Sequence, residues 1–214
     1  MTEMLVLAGH LSVTTDLFGP AVDMAVRAFQ RAHGLTVDGI FGPASDAKLR
    51  HVTGGRRITG IVVHHSAGSR QNTAAEIDAF HRDVRGWDAI AYQFVVRQPR
   101  DGAPLVVIEE GRAHDGSAFL DLPGGHTIGA NYDTVGVCLV GDFSNEKIPP
   151  ALYRTTVTLL SSWCSAWDLT PVDIRGHREV PGNATSCPGD LVDLDRLRGD
   201  VARVLASLPS QRLS

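Results

Sequence analysis

The hydrophobic positions after residue 57 alternate between strand-like and helix-like patterns. Four short runs of apolar and β-branched residues predict strands: ITGIVVHHS, AIAYQFVVR, LVVIEE and TVGVCLVGDF. Apolar residues at helical spacing predict helices that start near Thr73, after Pro150 and over 191–205. Because strands and helices interleave, we expect an α/β fold in which a mixed central sheet is flanked by helices.

The first fifty residues follow a different pattern. Apolar residues recur at helical spacing between positions 22 and 29 and stop at His33-Gly34, which predicts a short helix. Two turn-forming pairs, DG and GP, precede a second predicted helix over 44–49. The expected organisation is a small all-α domain over 1–52, a glycine-containing linker near 51–57 and the α/β domain over 57–210.

Composition narrows the class of protein. The 214 residues carry a net charge of −4 with both signs mixed, which argues against a broad surface for nucleic acid or anionic lipid. The hydrophobic fraction of 43% suits a packed core. The N-terminal residues lack a basic leader and a long apolar run, so we expect neither a secretory signal nor a membrane-spanning segment. Three cysteines cannot all pair within the chain, and such sparse use of cysteine favours a protein made in a reducing compartment.

Three residues offer ligand atoms for a soft metal. His64 ends a predicted strand, His177 lies in the loop RGHRE, and Cys187 lies in TSCPGD. A His2Cys set leaves one tetrahedral position of zinc open for water or substrate. Each residue alone has an ordinary alternative: a hydrogen-bonded strand histidine, a surface loop histidine and a small buried thiol.

The order of three segments resembles that of type 2 N-acetylmuramoyl-L-alanine amidases. The segments are VVHHSAG, GWDAIAYQFVV and GHREVPGNATSCPGD, and the resemblance spans about residues 57–207. The chain is also similar to peptidoglycan recognition proteins and phage amidase lysozymes, which share the fold. The resemblance implies Zn²⁺ held by His64, His177 and Cys187, with His65 on the opposite side of the strand as a packing or supporting residue. Relatives that only recognise peptidoglycan usually replace the residue matching Cys187, so its presence favours catalysis.

The same resemblance assigns two catalytic residues. Tyr92 matches the tyrosine beside the metal, where it would position water or transfer protons. Strand alternation would place Tyr92, Phe94 and Val96 on one face. Thr185 takes a position where some relatives carry a lysine that stabilises the oxyanion. Many relatives have histidine after the tyrosine, whereas this chain has Gln93.

Substrate contacts are assigned in the same way. His126 and Asn131 are expected to line the cleft, and we prefer His126 to His114 because its distance from the following strand fits the family better. His81 and Trp87 resemble groove residues that face the stem peptide. Both could instead be structural.

The two remaining cysteines favour a simpler interpretation. Cys138 lies in an apolar strand and Cys164 on the apolar side of a helix, so we expect buried thiols in preference to a disulfide.

The N-terminal segment VRAFQRAHGLTVDGIFGPASDAKL resembles the type 1 peptidoglycan-binding domain. The alternative is a helical hairpin that merely packs on the second domain. With both resemblances, we expect a monomeric bacteriolytic amidase that binds peptidoglycan, of the kind a phage endolysin represents, made in the host cytoplasm and acting on the cell wall after release. A bacterial autolytic amidase, a non-catalytic recognition protein and a zinc endopeptidase are the alternatives.

Overall fold

The computed structural model describes residues 20–40, 45, 48, 58–99, 106–112 and 123–207. These include five strands: β1 (Gly60–His65), β2 (Phe94–Arg97), β3 (Val107–Glu110), β4 (Thr134–Leu139) and β5 (Ile174–Gly176). They also include four helices: α1 (Pro20–Ala32), α2 (Ala74–Asp83), α3 (Pro150–Trp167) and α4 (Leu194–Ser207). Two short 3₁₀ helices cover Pro171–Asp173 and His177–Glu179. None of the helices in this described part is long and apolar enough to cross a membrane.

The five strands form one mixed sheet in the order β3-β2-β4-β1-β5. β1 pairs in parallel with both β4 and β5, β2 pairs in parallel with β4, and β3 is antiparallel to β2. The predicted α/β class with a mixed central sheet is therefore confirmed. Because adjacent parallel strands end at the same sheet edge, His64 near the end of β1 lies close to His177, which follows β5.

The larger core lies on one face of this sheet. Val63, Phe94 and Leu139 point toward α3 and α4 on this side. The rings of Phe94 and Trp163 pack with centroids 4.6 Å apart. Each such fully buried side chain contributes about 1.5–3 kcal/mol by leaving water. This face anchors the sheet to α3 and α4, whereas the candidate metal-binding residues lie on the opposite face.

The opposite face has two smaller clusters. Ile77 of α2 packs with Val95 and Cys138, and Tyr92 lies against that cluster. Val62 packs with Val180, in the loop that follows β5. Since His64 alternates with Val63, it shares the face of Val62. The loops that cover this face therefore meet His64.

The start of α2 was predicted correctly. Thr73 is its N-cap: the Thr73 hydroxyl accepts the Glu76 N–H, and the Glu76 carboxylate accepts the Thr73 N–H at 2.8 Å. This reciprocal pair satisfies two N–H groups that the first helical turn would otherwise leave without partners.

The predicted strand face of Tyr92 is wrong. The backbone bends at Ala91 and Gln93, and β2 begins only at Phe94. The alternation of side chains does not extend back through these bends. Phe94 packs in the larger core, whereas Tyr92 lies on the opposite face with Cys138.

In the N-terminal unit, α1 ends at Ala32, next to the predicted stop signal. Gln30, which is 2% exposed, accepts the Gly39 N–H and donates to Asp38 Oδ1 at 2.7 Å. It also donates to the Ile40 carbonyl at 2.9 Å. Most of the predicted helix over 44–49 and the whole predicted linker lie outside the described residues, although Ser45 and Lys48 have helical backbone.

Candidate metal centre and cleft

Three side chains from distant parts of the chain meet at the carboxyl end of β1. One ligand atom each from His64, His177 and Cys187 lies within 4.8 Å of the others. β1 supplies His64, the second 3₁₀ helix, directly after β5, supplies His177, and the loop after that helix supplies Cys187. The structure thus brings together all three residues predicted to bind the metal.

The separation of the Cys187 and His64 donor atoms suits zinc. Cys187 Sγ lies 3.5 Å from His64 Nδ1. Zinc bond lengths of about 2.3 Å to sulfur and 2.1 Å to nitrogen place two tetrahedral ligands about 3.6 Å apart. Two imidazoles and one thiolate are a donor set that zinc prefers, so the residues present fit the ion.

Burial shifts the pKa of two of the donors, His64 and Cys187. Burial lowers the pKa of the His64 ring well below its usual value, and the neighbouring histidine rings lower it further. A neutral ring keeps a lone pair for a metal. Burial raises the pKa of Cys187 to about 11, although the His65 N–H and Arg178 favour the thiolate. Metal binding at this thiol therefore has to release its proton.

Arg178 organises the loop that carries Cys187. Its backbone N–H donates to the Cys187 carbonyl at 2.8 Å. Its guanidinium donates to the carbonyls of Ser186, Gly189 and Val192. These bonds hold both sides of the cysteine. Arg178 thus stabilises the loop, a role that its position in RGHRE did not predict.

His126 lies directly beside the metal trio. Its Nδ1 is 3.1 Å from His64 Nε2. The Asn131 side-chain oxygen accepts the backbone N–H groups of both His126 and Thr127 and so fixes this loop. A Cβ at Gly136 would come within 2.5 Å of the His126 ring. The ring therefore fits above this strand only because position 136 is glycine.

Tyr92 lies under the trio. Its ring centroid is 5.0 Å from that of His64. Burial raises the pKa of Tyr92 well above its usual value, with the Cys138 and Cys187 thiols adding to the shift. The hydroxyl, which lies beside the Cys138 thiol, is therefore a neutral phenol. This partnership was not predicted, because Cys138 was interpreted only as a buried thiol.

A cleft of about 340 Å³ opens next to the trio. His177 belongs both to the trio and to the cleft wall, which joins the two features. Trp87, which is 44% exposed, and Ile128, which is 72% exposed, give the cleft apolar surface. The remaining lining residues are Gly125, His126, Thr127, Asn131, Gly182, Asn183, Ala184 and Thr185.

The predicted substrate residues fall in different places. Trp87, His126 and Asn131 line the cleft. His81 does not: it is 6% exposed, accepts the Ala91 N–H on Nδ1 and packs 4.7 Å from the Trp87 ring. We therefore assign His81 to supporting Trp87. His114, the less favoured candidate, lies outside the described residues.

The other predicted residues take well-defined places. Thr185 is exposed at the cleft, and its hydroxyl accepts the Cys187 N–H at 3.1 Å. His65 points to the other side of β1, where its Nδ1 accepts the Phe143 N–H. The buried Gln93 side chain accepts the Gly136 N–H at 2.8 Å. All three cysteines are free thiols.

Comparisons with known proteins agree with this geometry. The N-acetylmuramoyl-L-alanine amidase family model matches residues 54–190, and the peptidoglycan binding domain model matches residues 2–49. Peptidoglycan-recognition protein SC1a/b of Drosophila simulans is 26% identical over 143 residues, which cover 63% of this chain and 70% of that protein. N-acetylmuramoyl-L-alanine amidase of Homo sapiens is 30% identical over 138 residues, which cover 63% of this chain and 22% of that protein.

Among solved structures, N-acetylmuramoyl-L-alanine amidase LysC from Clostridium intestinale URNW superposes with a TM-score of 0.55 at 27% identity. The match covers 68% of this chain and 85% of that chain. The family model alone spans more than half of the sequence. This chain therefore belongs to the N-acetylmuramoyl-L-alanine amidase family and carries a peptidoglycan binding domain at residues 2–49.

Proposed function

We propose that the protein is a zinc-dependent amidase that hydrolyses the bond between the lactyl group of muramic acid and L-alanine of the stem peptide in bacterial peptidoglycan. The observation that carries the proposal is the three-donor cluster of His64, His177 and Cys187 at the wall of an open cleft. When bound there, zinc supplies Lewis acidity, which polarises an amide carbonyl and makes water a stronger acid.

The side chains around the cluster have complementary roles. Thr185 uses its hydroxyl oxygen to accept the Cys187 N–H, so its hydroxyl proton remains available to donate to an oxygen of the substrate. Tyr92 packs against the His64 ring and keeps a protonated hydroxyl near the reacting groups. Both residues stabilise charge or orient a proton, and neither has to act as a strong base.

The cleft walls offer separate surfaces for the stem peptide and for the muramic acid. Trp87 presents an exposed ring that His81 supports from behind, and such a ring provides a rigid surface for the stem peptide. His126 and Asn131 lie near the cluster, where a muramic acid substituent would approach. The stem peptide would then lie along Trp87, with the scissile amide at the donor cluster.

The peptidoglycan binding domain would raise the local concentration of the catalytic domain on an insoluble polymer. We propose that the whole chain acts as a monomeric endolysin of phage origin, released from the host cytoplasm onto the wall, with bacteriolytic and antimicrobial activity. The LysC match supports the amidase part of this proposal.

The test is digestion of purified peptidoglycan by zinc-loaded protein, with mass spectrometry of the soluble products. We expect stem peptides that begin with L-alanine, and their loss in Cys187→Ala. Cys164→Ala is the matched control, since Cys164 lies on α3 and is buried in the larger core, on the other face of the sheet.

Two results would contradict the proposal. Wall that is bound but not cut would identify a recognition protein, the role that the Drosophila relative's name describes. New amino ends within the stem peptide would identify an endopeptidase.

A further inference from the structure

The side-chain amide of Asn183 makes hydrogen bonds through both its oxygen and its nitrogen. Its Oδ1 accepts the Ile128 N–H at 2.9 Å and lies 3.0 Å from His177 Nε2. Its Nδ2 donates to the carbonyls of Ile128, Val180 and Pro181 at 3.0–3.3 Å. One amide thus connects a predicted metal ligand with the exposed cleft wall at Ile128.

These backbone contacts fix which way the amide faces. If the oxygen and nitrogen exchanged places, the oxygen would face three carbonyls and the NH₂ group would face the Ile128 N–H. Each of those pairs is repulsive, so the orientation with Oδ1 toward His177 is the stable one.

The tautomer of His177 follows from this orientation. An amide oxygen only accepts hydrogen bonds, so His177 Nε2 has to carry the proton that it donates. A neutral imidazole has one ring proton, which leaves the lone pair on Nδ1.

His64 shows the same arrangement. Its Nε2 contacts His126, and its Nδ1 faces Cys187 Sγ at 3.5 Å. Both histidines of the trio therefore have Nε2 engaged by a polar neighbour and Nδ1 left for a metal.

We infer that Asn183 is a positioning residue that holds His177 as the Nε2–H tautomer, reserves Nδ1 for zinc and ties this ligand to the cleft wall at Ile128. The inference rests on the zinc site of the proposed function. Hydrogen bonds to the second ring nitrogen orient metal-binding histidines and tune their affinity, and losing one typically costs 10- to 100-fold in metal affinity.

The first test uses the metal-free full chain with ¹⁵N-labelled histidine at about pH 8, above the ordinary histidine pKa. We expect the ¹⁵N spectrum to show His177 with a protonated Nε2 and an unprotonated Nδ1, and His177→Ala assigns the signals. A proton on Nδ1 in the wild-type protein would overturn the inference whether or not any variant folds.

The second test is zinc affinity by chelator competition. Asn183→Ala should mix the two tautomers and weaken zinc binding by about 10- to 100-fold. Asn183→Asp keeps an oxygen for His177, so it should retain the Nε2–H tautomer, although its second carboxylate oxygen replaces the NH₂ group that donates to three carbonyls. Asn145→Ala is the control, because Asn145 contacts Asp142 outside the cleft.

Unchanged affinity in Asn183→Ala would contradict the inference. These readouts do not depend on turnover. A zinc-loaded wild-type protein that leaves peptidoglycan intact would reject the amidase proposal while the tautomer and affinity results still decide the role of Asn183.

Discussion

At the residue scale, the loop that carries Cys187 depends on a single guanidinium. Arg178→Ala removes the donors to the carbonyl of exposed Ser186 and to the carbonyls of the buried residues Gly189 and Val192. Each buried group left unsatisfied costs about 1–3 kcal/mol, so we expect a lower melting temperature and weaker zinc binding. Thermal unfolding and zinc titration measure the two effects.

Arg154→Ala provides the comparison, because Arg154 is exposed on α3, away from the cleft. If the two variants melted alike and bound zinc equally well, Arg178 would not organise the cysteine loop.

The residues that the sequence revealed differ in kind from those it did not. His64, His177 and Cys187 have unusual ligand chemistry and lie in recognisable motifs, so their grouping was predictable. Asn183 and Arg178 act through common amide and guanidinium groups, whose partners are mostly backbone atoms of the loops around the site. Such contacts depend on loop conformation, which no side-chain pattern encodes.

At the element scale, β4 controls the position of His126 through one missing side chain. Gly136→Ala would place a Cβ 2.5 Å from the His126 ring, in a strand that is buried along its length. Overpacking of this kind costs about 1–3 kcal/mol. We expect reduced stability and loss of the contact between His126 and His64, which the histidine ¹⁵N spectrum reports.

Gly199→Ala is the matched substitution, since a Cβ there meets no atom within 4 Å inside α4. It should stabilise the helix by about 0.5–1 kcal/mol, because alanine has the higher helix propensity. If Gly136→Ala lowers stability and Gly199→Ala raises it, the limited space beside His126 explains the destabilisation at position 136. Equal effects would reject that explanation.

Most elements followed from local patterns, and two details did not. The capping box at Thr73 and the apolar runs of β1 and β4 were predictable because each signal lies within a few residues. β5 has only three residues, too few for a periodic pattern. The bends before β2, which reversed the face of Tyr92, are accompanied by hydrogen bonds between Gln93 and Gly136, 43 positions apart.

At the scale of the whole molecule, the N-terminal unit and the catalytic unit should contribute separable steps. Gln30 is buried in the described part of the N-terminal unit, with hydrogen bonds to Asp38, Gly39 and Ile40. Gln30→Ala leaves the buried Gly39 N–H without its acceptor, which costs about 1–3 kcal/mol. We expect this variant of the full chain to bind and digest insoluble wall less well, because the local-concentration advantage is reduced.

The same variant should cleave a soluble muramoyl peptide at the wild-type rate, because His64, His177 and Cys187 all lie within the amidase-family match over 54–190. Sedimentation with purified wall measures binding, and product release from the soluble substrate measures catalysis. Arg31→Ala serves as the control, since Arg31 is exposed on the same helix. Equal losses on both substrates would mean that the N-terminal unit supports the catalytic fold itself. A loss confined to insoluble wall would identify it as a separate wall-binding unit.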